Sequence, residues 1–271
     1  MGEVIALVLA RGQGQRMRRE DPTAHLTLDQ AAAARAGLKA LMPVGRYPYL
    51  DYVLSSLADA GFRRAGLVMG PEHRDACRRY AEPGRMARVQ VDLIEQAAPR
   101  GTADAVRSAE AWIGGSPFIV VNGDNLYPVP VLRNLAALDG PGLPGFRREE
   151  LVRSGNIPAS RIQSFALINV DASGRLARIV EKPTAEEAAA AGPDALISMN
   201  CWRFDARIFP ACADVGLSAR GEYELPGAVA LAHARGVPFT VIPGRGTVLD
   251  LSSQSDVSAV TRRLAGVEPR P

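Results

Sequence analysis

Lysine is almost missing from this chain. Of 32 basic residues only Lys39 and Lys182 are lysine; the rest are arginine. Histidine is scarce as well, and His25, His73 and His233 fall in polar or helical surroundings, which argues against histidine-based catalysis. Three widely spaced cysteines (Cys77, Cys201, Cys212) give neither a zinc spacing nor a disulfide framework, and suit a reducing cytoplasm. No apolar run nears the length of a membrane span, and no basic region precedes the first apolar run as a signal peptide requires, so a cytoplasmic chain with no membrane partner is expected. The net charge is only +3 and the arginines are scattered, whereas nucleic-acid binding calls for a denser basic stripe. Hydrophobic residues make up 47% of 271, ample for a core, so disorder is not the class.

What is present is organised around residues 4–17. Val4 to Ala10 reads as a strand buried on both faces. It runs into Arg11-Gly12-Gln13-Gly14-Gln15-Arg16, a turn whose backbone can approach a phosphate chain closely and offer amide and guanidinium donors. Gly12 and Gly14 alone are a weak signal. Met17 stands where a third glycine would complete a dinucleotide fingerprint, and the GxxxxGK[ST] loop is absent.

To about residue 125 the chain alternates strand, loop and helix. Strands are expected over Ala65–Met69, Arg88–Glu95 and Pro117–Val121, and helices over Leu28–Arg35, Pro48–Gly61, Glu72–Ala81 and Thr102–Trp112, with Thr102 capping the last. That rhythm implies a parallel sheet with helices on both faces and ligands at the carboxyl ends of the strands. The second half reads differently. A hairpin is expected over Ile162–Val170 and Arg175–Glu181, then a helix from Thr184, a strand over Leu196–Phe204, a helix over Glu222–Ala234, and a last helix capped by Ser252 or Ser253. Gly140–Gly145, rich in glycine and proline, is expected to be the most mobile loop.

Several polar residues invite chemistry. Asp124 and Asp250 each follow an apolar stretch, and two carboxylates with phosphate oxygens and waters can hold magnesium; each can also be a plain turn or cap residue. Gln96 can offer a base both a donor and an acceptor. In a chain that defaults to arginine, a retained lysine is either a chance survivor or a site needing a compact ammonium rather than a wide planar fork.

Five stretches then fall into a known order. Leu9-Ala10-Arg11-Gly12-Gln13-Gly14-Gln15-Arg16-Met17 resembles the LAGGxGTR loop of the sugar-1-phosphate nucleotidyltransferases. Leu38–Val44 resembles their K-x-L-x-P-V segment, and Gln96–Ala105 their Q-x-x-P-x-GTAxA stretch. Val120–Asp124 resembles their strand-GD motif, and Glu181-Lys182-Pro183 their EKP. The resemblance implies an α/β, Rossmann-like three-layer sandwich with a mixed, mostly parallel sheet and a smaller sugar-binding subregion. It implies one nucleotidyltransferase domain over 1–271, with a nucleotide-binding half (1–125), a sugar-phosphate half (126–251) and a C-terminal helix (252–271).

The implied activity is nucleotidyl transfer from a nucleoside triphosphate to a sugar 1-phosphate, yielding an NDP-sugar and pyrophosphate. The implied partners are those two substrates, with self-association left open. By the resemblance, Leu9, Ala10, Gly12, Gly14, Gln96, Gly101 and Thr102 hold the nucleotide. Arg16, Lys39, Lys182 and Asp124 carry the reaction, Glu181, Lys182 and Asn200 take the sugar phosphate, and Asp124 and Asp250 hold Mg2+. The departures are Arg11 and Gln15 in the first loop, Leu251-Ser252 after Asp250 where the family shows W-x-D-x-G, Phe165-Ala166 where Tyr-Gly is usual, and an N-x-G motif reduced to the surroundings of Asn200. They keep a second reading open, a non-catalytic regulatory relative that binds nucleotide or NDP-sugar.

Overall fold

In the strand Ile5–Leu9 every side chain is buried, and alternate residues serve two different cores. Ala6 and Val8 face one apolar cluster with Leu50, Leu54, Leu57, Leu132 and Val260; Ile5, Leu7 and Leu9 face another with Val106, Phe118, Phe204 and Val229. A strand with period-two side chains and no polar face must lie inside a sheet covered on both sides. The computed structural model describes residues 4–12, 14–192 and 194–271. Gln13, within the glycine loop, lies outside the described residues.

That strand is central to a ten-stranded mixed sheet. From one edge the order is Leu176–Val180, Ala166–Val170, Leu196–Ser198, Gly142–Phe146, Trp202–Phe204, Phe118–Asn122, Ile5–Leu9, Arg64–Met69 and Gln90–Glu95, with Thr240–Gly244 paired to Gly142–Phe146. The four strands of the first half are parallel; the second half joins antiparallel, apart from the parallel pairing of Thr240–Gly244. Leu9, Asn122 and Glu95 therefore end on one rim. Among the described residues no helix is long and apolar enough to cross a membrane.

The stretch Gly140–Gly145 is not the mobile loop its composition suggested. Gly142–Phe146 is a fully buried strand between neighbours on both sides. Its glycines answer crowding: a Cβ on Gly142 would lie 2.5 Å from both Leu138 Cδ1 and the Thr240 carbonyl oxygen, and one on Gly145 2.6 Å from Leu196 Cδ1. Glycine in a strand can mark such a close approach as well as a turn.

Three further expectations shift. Ala159–Ser164 is a 3-10 turn, and the hairpin strand begins at Ala166. The expected strand 196–204 is two strands broken at Asn200, whose φ of 55° is left-handed. Thr102 begins its helix without capping it; its hydroxyl accepts the Leu225 N–H at 2.8 Å, at the first residue of the helix Leu225–Ala234. The helix Leu28–Ala36 does form, fixed by a Thr27–Gln30 capping box and closed by Gly37. The segment before it is tied to the last helix, since Gln254 Nε2 donates to the Met17 carbonyl at 2.9 Å.

Candidate active site

The carboxyl rim of the parallel strands opens into a cavity of roughly 280 Å³. Leu9, Ala10, Gly12, Gly14, Arg16, Lys39, Gln96, Gly101, Thr102 and Asp124 all line it. The loops after Ile5–Leu9, Gln90–Glu95 and Phe118–Asn122 meet because those strands end on one rim of the sheet, and Lys39 joins them from the segment that follows the helix Leu28–Ala36. Gly14 adopts φ 63°, and a Cβ there would sit 2.8 Å from Gly37 Cα, so both backbone freedom and space demand glycine.

Lys39 reaches Asp124, with Nζ 3.0 Å from Oδ2. Both remain partly open, at 17% and 23% side-chain exposure, so the pair can exchange partners with an incoming phosphate. The Asp124 backbone is fixed from both directions: Gly123 N–H donates to the Leu9 carbonyl at 2.8 Å, and Leu251 N–H donates to that of Asp124 at 2.9 Å.

At the other end of the cavity Gln96 is buried, and its amide has a determined orientation. Nε2 donates to the Gly101 carbonyl at 3.1 Å and to Asp104 Oδ2 at 2.8 Å. Both partners are acceptors, so the nitrogen must face them. Asp104 is itself held by Arg100, 2.9 Å away. The backbone carbonyl of Gln96 accepts from Arg11 Nη1. Arg11 occupies the usual glycine position of the loop, and it spends its guanidinium on this carbonyl and on Glu72.

Lys182, Glu181, Asn200 and Asp250 do not line the cavity. Lys182 lies in a second cluster with a left-handed φ of 45°. Its Nζ is 3.1 Å from Glu224 Oε1 and 3.3 Å from Glu181 Oε1. Burial, with Glu224 alongside, pushes the Glu181 carboxyl up to about 7 against the pull of Lys182. The Lys182 hydrogen bond, opposing burial, leaves Glu224 lower than usual. Arg220 and Glu222 line the cavity, and Arg220 Nη1 lies 3.9 Å from Glu224 Oε1, so the segment 220–224 links the two groups. Asn200 sits with its left-handed φ of 55° in the break between the strands Leu196–Ser198 and Trp202–Phe204.

The two expected metal carboxylates differ. Asp124 lines the cavity and, among the described residues, carries only Lys39 on its carboxylate. It fits a divalent cation that takes its other ligands from phosphate and water. Asp250 does not fit. It is 2% exposed; Oδ1 accepts from Asn125 Nδ2 at 2.9 Å and Ser252 Oγ at 3.0 Å, and Oδ2 from Arg161 Nη1 at 2.9 Å. Burial, reinforced by the Asp124 charge, raises its carboxyl to about 6 despite Arg161. Arg161, Asp104 and Glu224 were not foreseen; Arg161 and Glu224 act through partners distant in sequence, and Asp104 through Gln96 and Arg100, eight and four residues before it.

A glycine turn, a paired lysine and aspartate, and a buried amide thus meet around one rim cavity of an α/β fold. Residues 5–247 match the nucleotidyl transferase family, and the chain belongs to it. The low-salt glycan biosynthesis nucleotidyltransferase of Haloferax volcanii is 26% identical over 224 residues, which cover 82% of this chain and 55% of that protein. The chain thus spans about half the length of that relative. A glucose-1-phosphate thymidylyltransferase of Streptomyces antibioticus is 27% identical, covering 98% of this chain and 67% of the relative. The fold matches a UDP-glucose pyrophosphorylase solved with UDP-glucose at a TM-score of 0.76 and 16% identity, covering 98% of this chain and all of that one.

Proposed function

We propose that the chain transfers the nucleotidyl group of a nucleoside triphosphate to a sugar 1-phosphate. A phosphate oxygen of the sugar 1-phosphate attacks the α-phosphorus, the bond to the β-phosphate oxygen breaks, and pyrophosphate leaves with its electron pair. The observation that carries the reading is the convergence of the glycine turn, Lys39, Asp124 and Gln96 on one cavity. Little covalent chemistry falls to the protein in such a displacement, so positioning and charge neutralisation do the catalytic work.

The glycine turn, with Leu9, Ala10, Gly101 and Thr102, seats the nucleotide. Gln96 has spent its amide nitrogen on Gly101 and Asp104, and so meets the base with Oε1, an acceptor for a base N–H. Lys39 and Arg16 take the charge of the departing pyrophosphate. Lys182 holds the sugar phosphate, Glu181 binds sugar hydroxyls, and Arg220 joins the two ends. A divalent cation, Mg2+ in this reading, would be held by Asp124 and would neutralise phosphate oxygens.

Pyrophosphate release, measured across a panel of nucleoside triphosphates and sugar 1-phosphates, tests the proposal. Turnover with at least one pair, abolished in Asp124→Asn, is expected. Thermal stabilisation by nucleotide with no turnover for any pair would replace it with a non-catalytic binder.

A further inference from the structure

We infer that Arg161 takes the place of a metal ion as the charge partner of Asp250, leaving Asp124 as the protein's direct carboxylate ligand and Asp250 as a positioning residue. The inference rests on the nucleotidyl-transfer reading. Arg161 comes from the 3-10 turn Ala159–Ser164 and is 12% exposed. Its Nη1 bridges Asp250 Oδ2 at 2.9 Å and Asp256 Oδ2 at 2.7 Å, while Nη2 meets Asp256 Oδ1 at 2.5 Å. A guanidinium cannot lose its charge in a protein and fits carboxylates as a fixed fork. It therefore sets a fixed positive charge between Asp250 and Asp256, without drawing on cation from solution.

Nothing in this arrangement leaves Asp250 available. Its two oxygens already accept three hydrogen bonds from the protein, and Asn156 clamps its backbone, donating to the carbonyl at 2.7 Å and accepting the N–H at 2.8 Å. To reach a metal, Asp250 would have to abandon Arg161, which would then sit buried between Asp256 and an ion of its own sign. Breaking a buried ion pair is expensive for this reason.

Asp250 has a different use. Its Oδ1 holds the amide of Asn125, the residue after Asp124, and its strand pairs Asp250 with Asn125 and Leu249 with Leu126. Leu251 N–H then fixes the Asp124 carbonyl. Asp250 and its neighbours thus set the turn from which Asp124 faces the cavity.

The test uses Mn2+ as the probe, with the full chain bound to an α,β-methylene nucleoside triphosphate of the base that the release panel selects. Anomalous diffraction from such crystals is expected to show Mn2+ coordinated by Asp124, with Asp250 still on Arg161. Mn2+ coordinated by an Asp250 oxygen overturns the inference. In solution, water-proton relaxation gives the Mn2+ affinity of the same complex. Arg161→Gln bares Asp250 and is expected to tighten Mn2+ by about tenfold, since affinity follows the number of charged ligands. Unchanged or weaker binding by a folded Arg161→Gln overturns the inference, and the crystal measurement on the unmutated chain stands if that variant does not fold. Failure of the unmutated chain to bind Mn2+ with nucleotide overturns the functional reading itself, whereas Mn2+ on Asp250 removes only this assignment.

Discussion

Both carboxylate oxygens of Glu72 accept from Arg11, Oε1 from Nε and Oε2 from Nη2, each at 3.1 Å. The pair spans 61 residues and joins the loop after the first strand to the turn Pro71–His73 after the second parallel strand. Arg11 also holds the Gln96 carbonyl, so one side chain ties together three strand ends of the nucleotide rim.

Replacing Arg11 by glycine, the residue usual in this loop, therefore loosens the rim more than it unfolds the protein. Glu72 is 50% exposed, which screens the pair, while the Arg11 side chain is only 7% exposed, so the loss lies at the upper end of the surface range, about 1 kcal/mol. A melting temperature lowered by no more than about 2–4 °C is expected in calorimetry. The KM for the triphosphate should rise by roughly threefold to tenfold, about 1 kcal/mol of lost positioning, while that for sugar 1-phosphate stays within error. Equal rises in both would contradict this placing of Arg11.

Lys39 should be the more costly loss. Lys39→Met removes the ammonium that reaches Asp124 at 3.0 Å on the cavity wall. Removing one preorganised charge-stabilising donor lowers kcat by about 100-fold or more. Arginine should not rescue it, since a wide planar fork does not replace a compact point charge beside Asp124. Steady-state pyrophosphate release on both variants decides the matter.

Acidity should act through Glu181. Its carboxyl is raised from 4.5 to about 7, so the folded protein holds that proton more tightly than the unfolded chain. The stabilisation from this group is full below pH 4.5 and is lost as pH rises through 7. For function, a neutral Glu181 leaves less negative charge beside Lys182. The KM for sugar 1-phosphate should therefore rise as pH climbs through about 7, beyond what titration of the substrate's own phosphate explains. Glu181→Gln should flatten that extra rise in a pH series of KM; a profile identical to the unmutated chain would refute it.

A stability test falls on the buried glycine strand. In Gly142→Ala the new methyl would lie 2.5 Å from the Thr240 carbonyl oxygen, which belongs to backbone and cannot swing aside. Overpacking of this kind costs about 1–3 kcal/mol, and denaturant titration should show it as a lower midpoint at unchanged slope.

How far the sequence reached depends on whether a signal is local. The first strand, its glycine turn, the lysine at 39 and the aspartate at 124 were each visible within a few residues, and the structure gathers them. Arg161 was invisible because its meaning comes from Asp250 and Asp256, 89 and 95 residues away. Asp104 is a first-turn acid of its helix, and its role shows only through the orientation of Gln96. Gly142 and Gly145 were misread because glycine marks both a flexible turn and a packed strand, and only the neighbours tell which. Asn200 gave no sign in its sequence of the left-handed φ that breaks the expected strand 196–204 in two.

Gly101 carries one more consequence. A Cβ there would meet the Tyr223 carbonyl oxygen at 2.5 Å, because the two segments are laced together: Tyr223 N–H to the Arg100 carbonyl, Ala103 N–H to the Tyr223 carbonyl, and Leu225 N–H to the Thr102 hydroxyl. For anyone redesigning this scaffold, residues 96–104 and 218–225 are one cassette. A foreign loop grafted in place of 96–104 without its matching second segment would arrive with its seams unpaired, whereas exchanging both together transplants the lacing with them.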